Sequence, residues 1–130
     1  RARVSPAWHH RVAELTYLGE ALEFTDTAIR NIRPLARRSA AAVKDGFQDE
    51  PTGLLVLELG NATGALAQAV GSGKNVRRAL PGLAAVARQL DTRHELDPVR
   101  HTLLALLRSA TFDLMRVAGA TQAEALEAMP

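Results

Sequence analysis

Between Trp8 and Phe47 the spacing of side chains leaves room for one kind of structure only. Val12, Leu15, Leu18, Leu22, Thr25, Ile29, Ile32, Ala36, Ser39, Val43 and Phe47 follow one another at steps of three or four. That period is helical, since a strand would alternate every second residue. No turn signal interrupts the stretch, so it predicts one helix of about ten turns. The stripe is expected to face a core or a partner helix.

Pro34 lies inside this helix. It lacks a backbone donor and its ring crowds the carbonyl of Arg30. The stripe keeps its phase from Ile32 to Ala36, which favours a kink over a break into two helices. Charge is sorted along the same stretch. Glu14, Glu20, Glu23 and Asp26 occupy the first half, and Arg30, Arg33, Arg37, Arg38 and Lys44 the second. Asp26 and Arg30, four apart, can pair for about 0.2–0.5 kcal/mol. Arg30, Arg33 and Arg37 share a face. They are candidates for an interface or an anion contact, against the plainer reading of a solvated basic face.

Glu14–Val43 also carries a resemblance. The opening Y-L-x-E-A, at Tyr17–Ala21, and the run R-N-x-R-x-L-A-R-R, at Arg30–Arg38, resemble the soluble segment that follows the membrane spans of bacterial FUSC-type proteins. That family covers fusaric acid resistance proteins and aromatic acid exporters. The resemblance spans about a quarter of the chain. It implies a cytoplasmic domain of an inner-membrane protein associated with efflux of aromatic or other organic acids. The expected partners are the protein's own membrane domain and further copies of itself. The implied role is assembly or regulation, with neither catalysis nor a cofactor. The alternative is a freestanding helical sensor or adaptor that binds a small organic acid or a protein.

Composition agrees with a helical domain. The 130 residues read as a single domain, and a chain of this size buries roughly two-thirds of its unfolded surface. The hydrophobic fraction is 47% but aromatics make up only 4%, so alanine and leucine supply the core. Runs of β-branched residues are absent, which argues against strands. Sixteen basic residues against fourteen acidic ones leave a formal charge of +2, too small a surplus to imply nucleic acid. The chain has no cysteine, which excludes disulfides and thiolate chemistry. The most apolar stretch, Leu54–Val70, contains Glu58, Asn61, Thr63 and Gln68 and is not expected to span a membrane. The sequence opens on Arg1 rather than Met, and is read as a piece of a larger membrane protein.

The remaining elements follow in order. Asp45-Gly46 and Asp49-Glu50-Pro51 mark a connection. A second helix is expected over Thr52–Val70, with Leu55, Leu59, Ala62, Leu66 and Val70 inward and Leu54, Leu57, Ala65 and Ala69 widening the stripe. It is expected to be the most buried helix. Gly60 and Gly64, each costing about 1 kcal/mol against alanine, suggest close packing of a neighbouring helix. Gly71–Asn75 has Gln68 and Asn75 where a phosphate loop needs glycine and Ser/Thr, and it follows a helix, so it reads as a turn. A third helix is expected over Val76–Thr92.

Asp97-Pro98 is a strong start for a fourth helix running to Ala118, with Gly119 as its stop. Thr121 and Glu124 form a capping box that opens a short fifth helix. The predicted fold is therefore all-α: an antiparallel four-helix bundle with a long, Pro-kinked first helix and a short C-terminal fifth helix. His9, His10, His94 and His101 lack the spacing of a metal site. No nucleophile elbow or triad pattern is present, and no catalytic or metal-ligating residue is assigned.

Overall fold

The computed structural model describes residues 5–130. Every regular element among them is helical. Helix α1 runs over Pro6–Lys44, 39 residues without a break. Ser5 caps it by accepting from the Ala7 amide at 3.3 Å, and Gly46, at φ +86°, turns the chain beyond its end. The helix passes through Pro34, so the alternative of two separate helices is excluded.

The buried line of α1 is not the expected one. Ala28, Leu35 and Ala42 are buried, and Ala21, Phe24 and Asn31 are partly so. This line lies beside the stripe read from the sequence. Of that stripe Ile32, Ser39 and Phe47 are partly covered, whereas Leu15, Leu18, Leu22, Thr25, Ile29, Ala36 and Val43 are exposed. The reason is size: two small alanines let a neighbouring helix approach closely, and the bulkier leucines one step around are left outside.

Helix α2 covers Glu50–Gly71. Asp49 caps it, accepting from the Thr52 amide at 3.0 Å and from the Thr52 hydroxyl. Leu55, Leu59, Ala62, Leu66 and Ala69 are buried on one side. Val70, expected inward, is exposed, as are Leu54, Leu57 and Ala65, expected to widen the core stripe; of the widening residues only Ala69 is buried. Helix α2 is thus not the most buried helix. It is also long and apolar enough to cross a membrane by length and composition, and only 22% of its most apolar window is buried.

A 3₁₀ turn over Val76–Ala79, capped by Asn75, leads into the short helix α3 at Leu80–Ala87. The single helix expected over Val76–Thr92 is therefore split and shortened. Pro81 sits in the first turn of α3, where its missing donor costs nothing. The loss in length does not empty the core, because Leu83, Val86, Ala87 and Leu90 are all buried.

Helix α4 spans Pro98–Val117, with Asp97 accepting from the Arg100 amide at 2.8 Å. It is the best covered element: Leu103, Leu104, Leu107, Ala110, Thr111, Leu114 and Met115 are buried. Thr111 satisfies its hydroxyl by donating to the Leu107 carbonyl at 2.8 Å. Gly119, at φ +87°, ends the helix in a conformation that side chains disfavour. Helix α5, Gln122–Glu127, opens on the expected capping box: Thr121 accepts from the Glu124 amide at 3.1 Å, and Glu124 accepts from the Thr121 amide at 2.7 Å.

Helix α4 touches α1, α2, α3 and α5, whereas α1 packs chiefly on α4. Along the α1–α4 seam Asn31 donates to Asp113, and Arg116 lies over the Phe24 ring, 4.5 Å from its centre. Gln89, just beyond α3, donates to Glu58 of α2 at 2.9 Å.

Candidate functional site

The apolar line of α1 beside the face packed on α4 is uncovered along much of its length. From Ser5 to Glu20 every residue is exposed. Leu15 is 68% exposed and Leu22 70%, values that suit side chains awaiting a partner better than side chains in a core. Next to this line, on the side of α1 opposite its buried residues, lie the three arginines expected as an interface. Arg30, Arg33 and Arg37 are all exposed, and they lie on the solvent side of one helix. Arg30 pairs with Asp26 at 2.7 Å. Arg33 and Arg37 form no ion pair among the described residues.

Two clefts separate α1 from α2. The larger, about 540 Å³, has Leu18, Leu22 and Thr25 on the α1 wall, Val70 on the α2 wall and Val117 between them. The smaller, about 150 Å³, lies at the other end, where Val43 and Phe47 face Gly53 and Val56. The two helices are joined by a short connection, yet the space between them is open at both ends.

Gly60 and Gly64 lie on the exposed side of α2. A Cβ at either position would meet no atom within 4 Å, so no helix of this chain exploits them for close approach. The contact expected there occurs at Gly82 instead, where a Cβ would lie 3.7 Å from that of Ala62. Neither Gly60 nor Gly64 lines the clefts.

A third cleft, about 470 Å³, has Tyr17, Glu20, Phe24, Arg116, Gly119 and Thr121 in its walls. Arg116 is held there by donating to the Ala120 carbonyl at 2.7 Å while stacking on Phe24. Two aromatic rings and a guanidinium suit a flat anion. The sequence carries no local signal for this grouping, because Tyr17 and Arg116 are about 100 residues apart.

The titratable groups with displaced pKa values are structural. Asp49 is held below its ordinary value of 3.8, first by the hydrogen bond from the Thr52 hydroxyl, with the Thr52 amide and Arg100 adding to it against partial burial. Glu124 is likewise lowered, first by the Thr121 amide and then by Arg77, which pairs with it at 2.9 Å. His9, His10, His94 and His101 are all exposed. Among the described residues no three His, Asp or Glu side chains converge as a metal site. No family model, no curated protein and no solved structure matches the chain.

Proposed function

We propose that this chain is a cytoplasmic domain of a FUSC-like inner-membrane protein associated with efflux of aromatic or other organic acids. In this reading it serves assembly or regulation and carries out no catalysis. One observation carries the proposal: the stretch that bears the resemblance, Glu14–Val43, is also the helix whose apolar line is left uncovered. A helix exposed over its first turns has little reason to be apolar unless something packs on it.

The architecture that goes with this reading is an antiparallel four-helix bundle closed by the short α5. Its support is the pairing of distant residues. Phe24 meets Arg116 and Asn31 meets Asp113, while Arg38 and Ala42 share a cleft with Pro98 and Leu103. Likewise Ala62 lies near Gly82 and Glu58 near Gln89.

Expression of the full-length gene and fractionation of the cells tests the assignment. The protein is expected in the inner-membrane fraction, with apolar segments of about 20 residues outside this domain. Recovery in the soluble fraction would end the exporter reading. Changing Arg30, Arg33 and Arg37 together to Glu should disrupt assembly of the full-length protein; unchanged oligomer mass and transport would remove these residues from the interface.

The second reading, a freestanding sensor of a small organic acid, is favoured by the cleft of Tyr17, Phe24 and Arg116. It expects benzoate to raise the melting temperature in wild type and not in Arg116→Gln.

A further inference from the structure

We propose that the uncovered line of α1 is the seat for the α1 of a second copy of this chain, laid antiparallel. Leu15, Leu18, Leu22, Thr25, Ile29 and Ile32 alternate at steps of three and four, the seam spacing of two helices wound together. Within one chain this seam is covered only at Ile32, and partly there: Leu18 is 50% exposed and Ile29 45%.

Charge identifies the occupant. Apart from Arg11 near its start, the acidic residues of α1, Glu14 to Asp26, precede its basic ones, Arg30 to Lys44. Such a helix is complementary to itself when reversed and repels itself when parallel. Reversal about a point between Arg30 and Asn31 brings Ile29 beside the partner's Ile32 and Leu18 beside the partner's Val43. It also sets Asp26 near the partner's Arg33, and Glu23 near the partner's Arg37. Arg33 and Arg37 thereby gain the carboxylates they lack in one chain. The open clefts between α1 and α2 give the incoming helix room, and α2 offers it a wall that includes Val56 and Val70. Because the contact is two-fold and self-complementary, it closes at two copies. An anionic lipid surface is a poorer match, since Glu14 lines the cleft beside Leu18 and Leu22, and Glu23 and Asp26 lie exposed on the turns that follow.

This inference rests on the assembly role proposed for α1 but not on the membrane assignment, which fractionation tests by itself. The experiment is sedimentation velocity on the purified 130-residue chain over a range of concentrations. A dimer is expected for wild type. A double variant, Leu22→Glu with Ile29→Glu, should remain monomeric with unchanged helical circular dichroism, because both side chains are exposed in the monomer. Glu23→Arg with Asp26→Arg makes α1 wholly basic over its centre, and Arg33→Glu with Arg37→Glu makes it acidic there. Each should self-associate at least about tenfold more weakly than wild type, the equivalent of 1.4 kcal/mol. Their mixture should form a heterodimer.

Direction is read by single cysteines, since the chain has none. Leu18→Cys mixed with Val43→Cys should cross-link on oxidation, and Leu18→Cys alone should not. Cross-linking of Leu18→Cys to itself would mean a parallel pair and overturn the proposal. So would a wild-type chain that is monomeric at every concentration, or one that is monomeric and binds vesicles containing phosphatidylglycerol.

Discussion

Arg100 joins the starts of α2 and α4. Its Nε lies 3.3 Å from Asp49 Oδ2 and its Nη1 3.0 Å from Glu95 Oε2. That Nε is shielded from solvent and has no hydrogen-bond partner of good geometry, so the guanidinium is held by charge more than by directed bonds. Arg100→Ala removes the shared cation from two carboxylates. It is expected to cost about 1–2 kcal/mol in urea unfolding, and Arg100→Lys should recover only part, because one ammonium cannot reproduce the fork. Asp49 responds to pH with a defined sign. Its pKa is lower folded than unfolded, first through the Thr52 hydroxyl. Its contribution is therefore complete above its ordinary value of 3.8 and is lost as pH falls through the lowered value. Asp49→Asn should be less stable than wild type at neutral pH, and the gap should narrow below pH 3.8; a gap that stays constant on acidification would mean that the carboxylate charge is irrelevant at the cap.

At the scale of the element, the ends of helices were legible and their faces were not. Asp97-Pro98 and the Thr121–Glu124 box act where the sequence placed them, because capping is local chemistry between residues three apart. The side of a helix that meets a neighbour is a tertiary fact. On α1 the heavier apolar line has the period of a core face, but close packing on α4 selects the line of Ala28, Leu35 and Ala42. On α2 the all-round apolarity suggested burial, yet its neighbours occupy one side only. The shortening of α3 has a local cause at one end only: Pro81 sits in its first turn, whereas nothing local marks its end at Ala87. The candidate surface is legible as a set of arginines and leucines on one helix, though the period of the leucines by itself points inward. Gly60 and Gly64 supply a test at this scale. Both sit in a helix interior with open space around the missing Cβ. Gly60→Ala and Gly64→Ala should each stabilise the isolated chain by about 0.5–1 kcal/mol. Destabilisation of either variant at concentrations where the chain dimerises, and not in dilute solution, would place a partner helix against α2.

Across the whole molecule, covering is uneven. Helix α4 has neighbours on several sides, whereas α1 is exposed through Glu20 and its cover begins only at Ala21 and Phe24, and a helical segment of that length is marginal in water without tertiary support. Opening of α1 should therefore require far less free energy than opening of α4, so its amides should exchange with solvent much faster in dilute protein. Self-association changes that order in a way that a merely solvated arm would not. If a second copy covers the seam, the amides of residues 12–32 should become protected as concentration rises, while those of α4 remain as they were. The melting temperature should rise with concentration in step, because dissociation then accompanies unfolding; each tenfold increase adds about 1.4 kcal/mol per mole of dimer. Raised salt should reduce both effects, since the pairing of Asp26 with Arg33 and of Glu23 with Arg37 lies at the exposed edge of the contact. Exchange and melting that are both independent of concentration would leave α1 as a solvated arm in the isolated chain, and its cover would then have to come from a different molecule.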